Sequence, residues 1–91
     1  MIKHLVISGR VQGVGFRYWL QSLATKKNIF GWVKNTISGN VEALIVGNEK
    51  EVEDLIKLCK KGPLSSKVDH VKVSKYKKDY LKKSFDIIKS D

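Results

Sequence analysis

Gly9-Arg10-Val11-Gln12-Gly13-Val14-Gly15-Phe16-Arg17 places three glycines within seven positions, directly after the apolar run Leu5-Val6-Ile7. Beyond it, Phe16, Trp19, Leu20 and Leu23 recur at helical spacing, with Ala24 beside them. The stretch therefore reads as a strand, Ile2 to Ser8, that turns through a glycine-rich loop into a helix. Glycine reaches backbone conformations that residues with a Cβ resist, and it lets a ligand approach the main chain closely. The first peptide N–H groups of such a helix lack intrahelical partners. With the positive end of the helix dipole they form an anion site. Arg17 adds a planar, permanently charged fork suited to phosphate. A plainer reading is a tight strand-to-helix turn, which one or two glycines would satisfy without the arginine. The two familiar nucleotide fingerprints are absent: no Gly-Lys-Ser/Thr closes the loop, and Tyr18 stands where Gly-x-Gly-x-x-Gly needs its last glycine.

Working outward, the first helix ends near Lys26-Lys27-Asn28, where cations complement its C-terminus. Phe30 to Asn35 and Val41 to Val46 are aromatic or β-branched runs separated by the turn residues Ser38-Gly39-Asn40, which predicts an antiparallel hairpin. Asn48 predicts a helix N-cap, with Glu51 completing a capping box. Val52, Leu55, Ile56 and Cys59 then follow helical spacing until Gly62-Pro63 stops the helix. Val68 to Tyr76, with Val71 and Val73 on one face, predicts a fourth strand. Phe85 to Ile88 predicts a short final edge strand, reached through a mobile lysine-rich connection, Lys75 to Lys83. The order strand, helix, strand, strand, helix, strand predicts an α+β, ferredoxin-like split β-α-β sandwich. Its expected form is an antiparallel sheet with two helices on one face.

Ninety-one residues suit one domain, 1–91. No segment approaches a membrane span, and the N-terminus lacks a signal peptide's apolar run, so no membrane partner is expected. Cys59 is the lone cysteine and lacks zinc-ligand neighbours, which fits a buried core thiol and a cytoplasmic setting. The net charge of +9 is concentrated late: Lys60 to Asp91 holds ten lysines against four aspartates. Such a surface attracts nucleic acid and small phosphorylated molecules, or simply keeps a small protein soluble. One expectation is that Lys72, Lys75, Lys77 and Lys78 steer anionic substrates. His4 and His70 read as ordinary strand residues, and Glu49, Glu51, Glu53 and Asp54 as helix-start acids rather than a catalytic dyad.

The nine residues from Gly9 to Arg17 resemble the signature loop of the acylphosphatases. Gly31-Trp32-Val33-Lys34-Asn35 resembles that family's second signature, and Gly62-Pro63 and the late Phe-x-Ile strand also fit. Ser38-Gly39 departs from the Asp-Gly often found there, and either makes the turn. The resemblance implies hydrolysis of acyl phosphates to a carboxylate and inorganic phosphate, with no metal or cofactor. By the same match, Arg17 and the backbone of Gln12, Gly13, Val14, Gly15 and Phe16 bind the phosphoryl group or another small anion, and Asn35 positions the attacking water. A monomer is expected.

The residues support that chemistry. A carboxylate leaves readily without an acid, and phosphoryl transfer depends mainly on positioning and charge stabilisation. An uncharged amide accepts a water hydrogen bond without adding negative charge beside a phosphoryl group. The rival is a basic RNA-binding module of the same fold, since Gly13-Val14-Gly15-Phe16 echoes part of the RNA-recognition consensus. That consensus belongs on a strand with stacking aromatics, whereas here it precedes a helix and Val14 replaces an aromatic. Nucleic acid is not the expected partner.

Overall fold

The computed structural model describes all residues from Met1 to Asp91. The elements are β1 (Ile2–Arg10), α1 (Phe16–Lys26), β2 (Phe30–Asn35), β3 (Val41–Val46), α2 (Glu49–Lys61), β4 (Lys67–Lys75) and β5 (Phe85–Ile87). They form one five-stranded sheet in the order β4-β1-β3-β2-β5. Alternation along the strands sends Leu5, Ile7, Val33, Val41, Ala43 and Ile45 into one core, where they meet Phe16 and Leu20 of α1 and Val52 and Leu55 of α2. Each of these is at most 1% exposed. Both helices thus cover the same face, as the element order predicts.

The four longer strands pair antiparallel, but β5 runs parallel to β2, with Gly31 opposite Phe85 and Val33 opposite Ile87. The sheet is therefore mixed. The connection after β4 is long enough to carry the chain to the far edge, where Phe85 and Ile87 add apolar area to the core. The bond from Gly31 N to Ser84 O (2.9 Å) seats the strand, and that from Ile88 N to Val33 O (3.0 Å) continues it. The connection itself is anchored: Tyr80 Oη donates to Gly31 O at 3.3 Å and Lys82 pairs with Asp86 at 3.1 Å. Hydrogen bonds from Ser84 and Lys82 hold the Asp86 carboxyl below its ordinary range.

The termini of α2 follow the sequence, with one difference. Asn48 caps the helix by accepting from Glu51 N at 2.9 Å. The Glu51 carboxylate does not return to the Asn48 amide; it lies 3.7 Å from Lys27 Nζ, so half a capping box forms. Cys59 is fully buried, and desolvation pushes its thiol up to about 12.

On the opposite face of the sheet, His4 Nε2 pairs with Glu42 Oε2 at 2.5 Å. Lys34 Nζ there lies 3.5 Å from Glu42 and 2.7 Å from Asp91. The Asp91 hydrogen bond, aided by Glu42 and opposed by partial burial, raises Lys34 above its ordinary value. His4 is thus a strand residue, as expected, and its ring nitrogen is hydrogen-bonded to Glu42.

Gly31 is the tightest point of the sheet. Its φ is +136°, and an added Cβ would collide with the Leu44 carbonyl of β3. Gly31→Ala is expected to lower the unfolding free energy by about 2 kcal/mol or more, read as a fall in the urea midpoint. A wild-type midpoint would contradict this account of β2.

Candidate active site

The direction of the strands sets where the two signature segments meet. β1 and β2 both pair antiparallel to the central β3, with Ile7 and Asn35 each opposite Val41. The C-terminal ends of β1 and β2 therefore lie together, roughly 10 Å apart across one strand. The loop from Val11 to Gly15 leaves β1 at that end, and Asn35 is the last residue of β2.

The loop owes its shape to two glycines. Gly13 and Gly15 have φ of +73° and +78°, while Asn28 is the only non-glycine with positive φ, so Gln12, Val14 and Phe16 are of the opposite hand. Alternation of hand is the pattern of an anion nest, in which successive N–H groups face one concave side. A Cβ at Gly13 or Gly15 would meet nothing within 4 Å, so these glycines supply conformation rather than clearance. Gly9 differs: it sits at a bulge where β1 shifts register against β4, and it belongs to the sheet rather than the cradle. β1 accordingly extends to Arg10, two residues beyond the predicted end.

The N–H groups from Gln12 to Arg17 donate to no backbone or side-chain acceptor of the protein. Gly15 occupies the N-cap of α1 without a side-chain cap, and no acid stands in the first turn. The N-terminus of α2 is capped by Asn48 and carries Glu49 and Glu51 in its first turn; that of α1 has neither, which leaves its amide donors open. Arg17 is half-buried in this first turn and takes no acidic partner in any of the six ion pairs. Its fork is free for an anion.

Asn35 shares the helix-side face of β2 with Val33, two residues earlier. Its Oδ1 is buried and has no hydrogen-bond partner, the only buried side-chain polar atom so placed. An orphaned buried acceptor costs about 1–3 kcal/mol, so its position calls for a donor from outside the chain. The Asn35 carbonyl is held separately, accepting from Asp91 N at 3.3 Å.

The structure thus brings Gln12, Gly13, Val14, Gly15, Phe16, Arg17 and Asn35 to one end of the sheet. One contribution was invisible in the sequence. The Gln12 side chain donates to Thr36 O and Asn40 O, both at 2.8 Å, and so ties the cradle to the β2–β3 hairpin. These partners lie 24 and 28 residues away, beyond any local pattern. Phe16 is 1% exposed and packs edge-on to Trp19 in the core, with ring centroids 5.2 Å apart. It is unavailable for base stacking, against the RNA-binding alternative. The largest concavity, about 300 Å³ beside α2 and β4, is lined by Lys60, Val68, Asp69, His70 and Val71 and shares no residue with the cradle.

Comparison with known proteins agrees with this geometry. The acylphosphatase family model matches residues 3–87. An acylphosphatase of Bradyrhizobium diazoefficiens is 49% identical over 70 residues, covering 77% of this chain and 71% of that protein. The crystal structure of acylphosphatase from Bacillus subtilis superposes with a TM-score of 0.92 at 37% identity, covering 98% of this chain and 100% of that one. Full-length HypF, solved in a phosphate- and nucleotide-bound form, matches with a TM-score of 0.89 at 34% identity, over 98% of this chain and 12% of its own. A glycine-shaped run of unpaired amides, a free arginine and the matched family model converge: the chain belongs to the acylphosphatase family, hydrolases of small-molecule acyl phosphates.

Proposed function

We propose that the N–H groups of Gln12 to Phe16, with the Arg17 guanidinium, bind the phosphoryl group of the substrate, and that Asn35 holds the attacking water. The observation that carries this reading is the buried, donor-less Asn35 Oδ1 at the same end of the sheet as the unpaired amides. Arg17 and the nest neutralise charge on the equatorial oxygens as the transition state forms. Asn35 Oδ1 accepts a hydrogen bond from water, aiming its oxygen at phosphorus opposite the leaving oxygen. The new P–O bond forms as the bond to the acyl oxygen breaks; the carboxylate departs with that electron pair, and the water proton ends on the phosphate product or in solvent. A carboxylate leaving group of low pKa needs no general acid, which suits a site built from an arginine, an asparagine and amides.

In this reading one domain, 1–91, performs the reaction as a monomer in a reducing cytoplasm. The lone thiol, Cys59, is buried and unpaired, in keeping with that setting. No helix is long and apolar enough to cross a membrane.

Steering by the late lysines requires revision. Lys75 pairs with Lys3, whereas Lys67 pairs with Arg10, the residue before the loop. Along β4 the two lysines stand roughly 26 Å apart, beyond the Debye length of about 8 Å in physiological salt. Lys72, opposite Val6, stands roughly 17 Å along β4 from Lys67, and Lys77 and Lys78 follow Lys75, at the end of the sheet away from the cradle. Capture of an anion is therefore assigned to Arg10, Arg17 and Lys67.

Two measurements test the proposal. With a simple aromatic acyl phosphate and chelator present, Asn35→Ala is expected to lower kcat about 100-fold or more, while Arg17→Ala raises KM as well as lowering kcat. The Asn35→Ala protein should keep its unfolding midpoint, because the substitution removes an unsatisfied buried acceptor. Wild-type kcat in well-folded Asn35→Ala would overturn its assignment. In the second, Lys67→Glu is expected to raise KM most at low salt, whereas the triple reversal of Lys75, Lys77 and Lys78 to glutamate leaves KM within about twofold. The opposite ranking would restore the late lysines as the steering surface.

A further inference from the structure

We propose that the Gln12 side chain is a positioning residue for hydrolysis: its amide fixes the distance between the phosphate cradle and Asn35. The inference rests on the assignment of Asn35 to the water.

No backbone hydrogen bond joins residues 11–15 to residues 35–40. Gln12 Nε2 bridges the two instead, donating to Thr36 O and Asn40 O at 2.8 Å each. A primary amide carries two donors on one nitrogen, so one side chain can engage both carbonyls. Thr36 is bonded directly to Asn35, and the hairpin tip beyond it is tied together by its own hydrogen bonds. Thr36 N donates to Asn40 O at 2.9 Å, Asn40 N donates to Thr36 Oγ1 at 3.2 Å, and Thr36 Oγ1 lies 2.8 Å from Ser38 Oγ. The first cradle residue thus grips the peptide that follows the water-holding residue.

The other flank of the loop serves as an internal comparison. Ser65 Oγ donates to Val14 O at 3.3 Å, an exposed and longer bond from the α2–β4 loop. It restrains the cradle without reaching Asn35. If Gln12 merely stiffened the loop, loss of either tie would weaken phosphate binding. If it sets the reach between phosphorus and water, its loss lowers turnover and spares phosphate affinity.

Gln12→Met keeps the side-chain length and removes both donors. A displacement of about 1 Å between reacting groups costs on the order of 100-fold, so kcat is expected to fall about tenfold or more. The inhibition constant of inorganic phosphate, in the same assay, should stay within about twofold, as should every parameter of Ser65→Ala. In the Asn35→Ala background, Gln12→Met should cost less than about twofold further, because it acts through a residue already removed. Gln12→Asn, one methylene too short to reach both carbonyls, provides a second variant if the first folds poorly. Unchanged kcat in folded Gln12→Met, or a fall matched by an equal loss of phosphate affinity, would overturn the positioning role. So would full multiplicative loss in the double variant. Wild-type turnover in Asn35→Ala would instead remove the assignment on which the proposal stands.

Discussion

A buried side-chain amide oxygen with no donor, Asn35 Oδ1, is the constraint from which the site follows. Proteins bury such an acceptor rarely, because losing its hydrogen bond to water is uncompensated. Here the cost is concentrated where the chain also leaves a run of amide donors and an arginine without protein partners. Donors and acceptor of opposite need therefore occupy one end of one sheet. In the proposed reading an anion meets the first set, and a water attacking that anion meets the second.

The remainder of the fold keeps these groups in place. Two strands of like direction flank β3, so the loop after β1 and the last residue of β2 emerge on the same side. The core beneath them is apolar, with no buried charge to compete for the arginine. Parallel addition of β5, extended by the bond from Asp91 to the Asn35 carbonyl, fixes the outer edge of β2 along its length. What the helices contribute to function is asymmetric. α2 is capped by Asn48, while α1 has neither a side-chain cap nor an acid at its positive end.

Much of this was legible in the sequence because the signals were local. Phe16, Leu20 and Ala24 at helical spacing, the Asn48 cap and the Gly62 stop each specify structure within a turn or two of chain, and all are found where expected. The Gln12–Gly15 loop was legible because αL conformations at Gly13 and Gly15 demand glycine. Three features were not legible. The parallel sense of β5 depends on where a long connection crosses the sheet, which its lysine-rich composition does not encode. The separation of the late lysines from the cradle depends on strand direction, since Lys67 and Lys75 look alike in the chain. The Gln12 bridge joins residues whose proximity is a product of the whole topology. Gly9 also changed meaning, because a glycine beside a loop serves a bulge as readily as a cradle.

The most direct test of the central claim is an amide NMR titration of the folded protein with inorganic phosphate. The account predicts that the largest shifts fall on the backbone N–H groups of Gln12 to Arg17, with a further shift at the Asn35 side-chain amide. Shifts confined instead to the concavity lined by Lys60, Asp69 and His70 would place the anion on another surface and contradict the account.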